Sequence, residues 1–177
     1  MPTKMSQFHK VSYEQFRKDW LETYYENDNV DKETEDYIRS VYDNIQLPAR
    51  STIGSAGYDF RIPVGFTLKA GHSIKIVTGI RCEVYDGWVL MIYPRSGLGF
   101  KYGLRMANTV PIVDSDYAYS DNEGHIFIEL CNDSSLAKDI KFKTGDKFCQ
   151  GVFVPYGITL DDKVTEQRVG GLGSTGR

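Results

Sequence analysis

Apolar positions along this chain follow two different periods. From Ser12 to about residue 46 they recur every three or four residues: Phe16, Trp20 and Tyr24 with Leu21 beside them, then Tyr37, Ile38, Val41, Tyr42 and Ile45. That spacing lines one face of an α-helix, so two amphipathic helices are predicted, the second starting after Asp31. Ser12-Tyr13-Glu14-Gln15 has the form of a capping box for the first. Phe8–Val11 reads as a short strand before them. The stripes suit helices that pack on the rest of the chain, and a protein partner is the alternative occupant of that face.

From Leu47 onward the period becomes two. The runs YDFRI, GFTL, SIKIVTGIRCEV, WVLMIY, HIFIELCN and KFCQGVFVP are β-rich and are separated by Gly, Asp, Asn and Pro. In HIFIELCN, Ile126, Ile128 and Leu130 share one face, with His125, Phe127 and Glu129 on the other. No helix longer than a turn or two is evident in this part. Many short strands at this spacing predict a mainly β fold: an antiparallel sandwich, jelly roll or barrel.

Composition narrows the function. The chain has 177 residues, enough for one core, and a net charge of −3, so no overall basic field argues for a nucleic acid polymer as ligand. No apolar run approaches a membrane span, and MPTKMSQFHKV lacks the apolar core of a secretion signal. Cys82, Cys131 and Cys149 are scattered, as are His9, His72 and His125, with no zinc or redox spacing. The expectation is a cytoplasmic protein with reduced thiols and no metal held by its own side chains.

Polar residues that a plain β core does not need gather in loop-like segments. GSAGYDF carries Asp59. PRSGLGFKYG places Arg95, Ser96 and Gly97 after an apolar strand, where a guanidinium, a hydroxyl and close backbone N–H groups are phosphate-binding groups, although Arg-Ser-Gly is also ordinary turn composition. ANTVPIVDSDY ends a short apolar run in Asp114-Ser115-Asp116-Tyr117, whose carboxylates are either turn caps or holders of a reacting water. GDKFCQG sets Gln150 within a strand, a network member or a ligand for substrate. The last ten residues, RVGGLGSTGR, are glycine-rich with hydroxyls and arginines, and no helix follows them to make a phosphate loop of the Walker type.

Taken in order, AGYDF, PRSGLGFKYG, NTVPIVDSDY, GDKFCQGVFVP and RVGGLGSTGR resemble the five motifs of the homotrimeric dUTP diphosphatases, the dUTPases, of bacterial or phage type. The resemblance covers roughly Leu47 to Arg177. It implies a dUTPase-like jelly-roll β-barrel over 47–167, a glycine-rich C-terminal arm over 168–177, and an added N-terminal helical segment over 1–46 packed on the core. It also implies Mg²⁺-dependent hydrolysis of dUTP to dUMP and pyrophosphate, with Mg²⁺ held by the triphosphate and waters, in trimers whose sites lie between subunits.

The resemblance assigns roles residue by residue. Asp114 would activate the water that attacks the α-phosphorus. Arg95, Ser96, Gly97 and Gln150 would bind phosphates, and Arg168, Ser174, Thr175 and Gly176 would close on the β- and γ-phosphates. Asn108, with the backbone of Ile112, Val113 and Phe127, would read uracil and deoxyribose. Tyr117 would stack under the sugar and leave no room for a 2′-hydroxyl, and Leu172 would cover the base. Asp59 would support the phosphate and metal-water region. The arm would become ordered when nucleotide binds.

Four features depart from the family pattern. Leu172 stands where many members have Phe, which makes Tyr119 and His125 candidates for a borrowed aromatic. Pro111 replaces a frequent Gly and has no N–H. Arg168 lies one residue nearer the Gly-Gly pair, and the link Ala118–Gly124 is longer than usual. A dCTP deaminase of the same fold, using Glu123 or Glu129, and a nucleotide-sensing regulator that binds protein remain the alternatives.

Overall fold

A computed structural model describes residues 6–166, 168 and 170. The N-terminal segment is not helical throughout. It begins with strand β1 (Ser6–Lys10). Two helices follow, α1 (Tyr13–Tyr24) and α2 (Lys32–Asp43). Ser12 caps α1 by accepting the Gln15 N–H at 3.1 Å, and Asp31 caps α2 by accepting the Thr34 N–H at 2.8 Å. The reciprocal half of the expected capping box is absent: the Gln15 carboxamide bonds Asp19, and the Ser12 N–H goes to Glu123 at 2.7 Å.

The apolar stripes meet as their spacing predicts. Phe16, Trp20 and Leu21 of α1 and Ile38 and Val41 of α2 form a cluster with Val11, Tyr13 and Val77. Burying Phe16, Leu21 and Ile38 contributes about 1.5–3 kcal/mol each. Tyr24 and Tyr37 lie at the rim, and Tyr42 donates its hydroxyl to the Val11 carbonyl at 2.7 Å.

The remainder is mainly β. Strands β2 (Ala49–Arg50), β3 (Tyr58–Arg61), β4 (Phe66–Leu68), β5 (Ser73–Val77), β6 (Ile80–Val84) and β7 (Trp88–Pro94) are followed by the short helix α3 (Ser96–Tyr102). Then come β8 (Leu104–Met106), β9 (Ile112–Val113), a 3₁₀ turn over Ser115–Tyr119, β10 (Phe127–Asn132), β11 (Ile140–Phe142) and β12 (Lys147–Pro155). Pairing is antiparallel throughout these strands, in four sheets ordered β1-β6, β5-β10-β8, β11-β4 and β2-β3-β12-β7-β9. Their inner faces enclose one core that includes Phe60, Leu90, Ile92, Met106, Ile128 and Phe148.

The run SIKIVTGIRCEV is broken into two strands at Gly79. That residue has φ +70°, and a Cβ there would stand 2.3 Å from Ile45 Cδ1 and 3.2 Å from Phe16. The bend is where the helical cluster presses on the β core. Cys82 and Cys149 are buried; burial pushes the Cys82 thiol up to about 12 and Cys149 well above its ordinary value, so both act as packing residues.

Candidate active site

One group of candidate residues surrounds a cationic cavity of about 590 Å³, lined by Arg95, Ser96, Gly97, Lys101, Asp146 and Lys147. β7 delivers Arg95 to its rim, and the chain turns at once into α3, whose first N–H groups have no partner within the helix. A Cβ at Gly97 would meet nothing within 4 Å, so packing does not demand glycine there; the open space is room for a ligand to approach the backbone.

Asp59 of β3 anchors the cations. Its carboxylate pairs with Arg95 at 3.4 Å and Lys147 at 2.7 Å and accepts the Ser51 hydroxyl at 2.7 Å. Burial works to raise this carboxyl, but the bonds from Lys147 and Ser51 and the charge of Arg95 outweigh it, and the net shift is downward. Lys147 was not among the residues singled out from the sequence. Its only signal there was a position next to the Gly-Asp turn, and cross-strand pairing is what brings it to Asp59.

Gln150 of β12 stands in register with Asp59 of β3 and Tyr93 of β7. Gly57 makes room for it, since a Cβ at that position would lie 2.2 Å from Gln150 Oε1. Gly57→Ala is therefore expected to leave the thermal midpoint nearly unchanged, because a side-chain terminus can swing aside. It should lower kcat/KM about tenfold by displacing the carboxamide. Steady-state kinetics beside a melting curve check this, and wild-type kinetics would remove Gln150 from the site.

A second group lies on the segment from β8 to the 3₁₀ turn. Asn108 is exposed in the turn after β8, Ile112 is half exposed and Val113 buried. Pro111, which lacks an N–H, accepts the Ile92 N–H through its carbonyl at 3.0 Å. Asp114 follows β9 and caps no backbone N–H with its side chain. Tyr117 is buried; burial pushes its phenol above the ordinary range despite a hydrogen bond from Asn122, and it donates to the His125 carbonyl at 2.7 Å. Phe127 begins β10, paired with Val77 of β5, while β8 pairs only with Leu130–Asn132, so among the described residues no strand lies on the other edge of Phe127.

Arg168 joins this second group. Its guanidinium donates to Asp114 at 2.8 Å and Asp116 at 3.1 Å and lies 5.5 Å from the Tyr117 ring centre. Leu172, Ser174, Thr175 and Gly176 lie outside the described residues. Of the two aromatics suggested for covering a base, His125 is corrected: it is fully buried, bonded to Asp19 and Gly79, and cannot lie over a ligand. Tyr119 is 76% exposed. Glu123 is committed to Ser12, and Glu129 accepts the Ser73 hydroxyl, so neither glutamate is placed as a proton-transfer group.

The two groups do not meet within one chain. Val113 pairs with Leu90 near the start of β7, whereas Arg95 follows its end. At about 3.3 Å per residue, Asp114 and Arg95 are roughly 20 Å apart along the strand. Reacting groups on one phosphorus must come within about 3–3.5 Å of their targets. No four-ligand cluster is present either: among the described residues, no group of three His, Cys, Asp or Glu side chains could hold a metal ion. No described helix is long and apolar enough to cross a membrane.

The model of the dUTPase family matches residues 43–176, which spans both groups and all but the last residue of the C-terminal arm. The deoxyuridine 5′-triphosphate nucleotidohydrolase of Lactococcus lactis subsp. lactis is 37% identical over 135 residues, covering 75% of this chain and 89% of its own. The solved dUTPase of Streptococcus mutans superposes with a TM-score of 0.56 at 33% identity, covering 64% of this chain and 88% of that one. A Staphylococcus bacteriophage 80alpha dUTPase mutant superposes with a TM-score of 0.61 over 94% of this chain and 99% of that one, at 17% identity, a likeness of fold. The family match covers more than half of the sequence, and this chain belongs to the dUTPase family.

Proposed function

We propose that this protein is a cytoplasmic dUTP diphosphatase that hydrolyses dUTP to dUMP and pyrophosphate, keeping uracil out of DNA and supplying dUMP. The observation that carries the reading is the pairing of a cationic cavity around Arg95, Ser96 and Lys147 with a separate carboxylate, Asp114, inside a family match over residues 43–176. Cations and backbone N–H groups bind the triphosphate, and Asp114 accepts the proton as water attacks the α-phosphorus.

Uracil's edge runs acceptor, donor, acceptor, so Asn108 and the backbone of Ile112, Val113 and Phe127 read it, and a cytosine leaves buried groups unmatched. Tyr117, held by its hydroxyl, is a rigid floor under the deoxyribose. The residues fit a magnesium ion carried by substrate: both oxygens of Asp59 are taken by Arg95, Lys147 and Ser51, which leaves it to orient water rather than bind metal directly. Magnesium, when bound to the triphosphate, supplies charge neutralisation on the phosphate oxygens.

The separation of Asp114 from Arg95 supports a site assembled from more than one subunit, and the family's homotrimer provides it. A solution mass of three 20.1-kDa chains is expected. The deciding assay is pyrophosphate release from dUTP, dTTP, UTP and dCTP with Mg²⁺. Turnover confined to dUTP is the expected result, and ammonia release from dCTP would replace the reading with a deaminase.

A further inference from the structure

The departures from the family pattern include the N-terminal helices and the long link Ala118–Gly124. In the structure they are tied to each other. The Glu123 carboxylate accepts the Ser12 N–H at 2.7 Å and the Ser12 hydroxyl at 2.6 Å, at the first turn of α1. Glu123 holds φ +57°, a conformation that a non-glycine residue keeps when its surroundings fix it. About two turns further along α1, Asp19 meets the His125 ring, with Oδ2 2.5 Å from Nδ1.

His125 is fully buried and Asp19 nearly so. His125 Nε2 accepts the Gly79 N–H at 2.8 Å, so the ring proton sits on Nδ1 and is donated to Asp19. Gln15 also donates to Asp19, at 2.9 Å. The ring is therefore fixed on both sides, by α1 and by the bend at Gly79.

The fixed residue reaches the candidate site through its backbone. The His125 carbonyl accepts the Tyr117 hydroxyl at 2.7 Å and the Asn122 amide at 3.4 Å, and Asn122 also donates to the Tyr117 oxygen at 3.1 Å. Tyr117 is three residues from Asp114, within the same 3₁₀ turn and its cap. Gly124 lies so close to this turn that a Cβ would stand 2.6 Å from Ala118 Cα.

We propose that α1 acts as a brace for the nucleoside half of the site, with Asp19 and Glu123 as positioning residues that hold the 118–125 link and, through His125, the ring of Tyr117. This rests on the reading of Tyr117 as the floor under the deoxyribose. The brace explains why the longer link accompanies the added helices: the link supplies Glu123 and His125, and α1 supplies the partners that order them. Loosening it lets the tyrosine ring shift, which weakens dUTP binding and admits a 2′-hydroxyl.

The test compares Asp19→Ala, Asp19→Asn, Tyr117→Ala and Val41→Ala in the full-length protein, well below each melting midpoint. Val41, an apolar residue of the helical cluster, makes none of the side-chain hydrogen bonds that tie α1 to the link. Asp19→Ala is expected to raise KM for dUTP on the order of tenfold and to lower the dUTP-over-UTP ratio of kcat/KM by a similar factor. Asp19→Asn, which keeps an acceptor for the His125 Nδ1 proton, should restore most of both. Val41→Ala should lower the midpoint and move neither. If Asp19→Ala fails to fold, Glu123→Ala takes its place with the same expectation.

A KM and ratio for Asp19→Ala no further from wild type than those of Val41→Ala would overturn the brace. In that case a lowered ratio in Tyr117→Ala leaves the reading of Tyr117 standing. An unchanged ratio in Tyr117→Ala would overturn that reading and the brace with it.

Discussion

Asp114→Asn is expected to lower kcat/KM for dUTP by about 100- to 10,000-fold, the range for loss of a positioned general base. Asparagine has the same shape and can still orient a water through its amide oxygen, so the loss reports basicity rather than geometry. A competing effect runs the other way. In the structure Asp114 is paired with Arg168 at 2.8 Å, and the substitution releases that guanidinium. The Asp114 side chain is 49% exposed and that of Arg168 13%, so solvent screens the carboxylate and the pair contributes on the order of 1 kcal/mol, a factor of roughly five. It cannot mask the loss. Unchanged oligomer mass and circular dichroism should accompany the fall, and equal pyrophosphate release by the two proteins would remove Asp114 from the role of base.

Much of the fold was legible because its signals are local. The period of the apolar residues placed α1 and α2, and Ser12 and Asp31 stand where capping chemistry puts them. The faces of β10 follow alternation, with Ile128 and Leu130 buried and Glu129 exposed. What could not be read depends on contacts between distant residues. Asp19 and His125 are 106 positions apart, and nothing in either neighbourhood marks them as partners. The sequence around His125 therefore does not show that α1 encloses its ring. Lys147 likewise becomes a neighbour of Asp59 only through the β3–β12 pairing.

The separation of the two halves of the site is a further case. Motif order along a chain says which residues serve one reaction, not whether one copy can bring them together. Strand register decides that: Asp114 belongs to the start of β7 and Arg95 to its end. The motifs name the candidate residues, while the distance between Asp114 and Arg95 follows from a strand register that no single motif contains.

Removing residues 168–177 is expected to lower kcat/KM by about 100-fold or more while leaving the oligomer intact, since the last named strand ends at Pro155. Two terms oppose each other here as well. Truncation frees Asp114 and Asp116 from Arg168, whose contacts at 2.8 and 3.1 Å cover the carboxylate that water must reach. If that were the whole effect, the shortened protein would be faster, by a factor corresponding to the same roughly 1 kcal/mol per pair. Against it stands the loss of Arg168, Ser174, Thr175 and Gly176, the proposed phosphate donors. Hydrogen bonds to charged groups contribute about 1.5–3 kcal/mol each, so losing even two outweighs the gain. Arg168→Ala separates the terms, because it removes the ion pairs and one donor but keeps the rest of the arm. It should cost less than the truncation, and a truncated protein as active as wild type would show that the arm takes no part in the reaction.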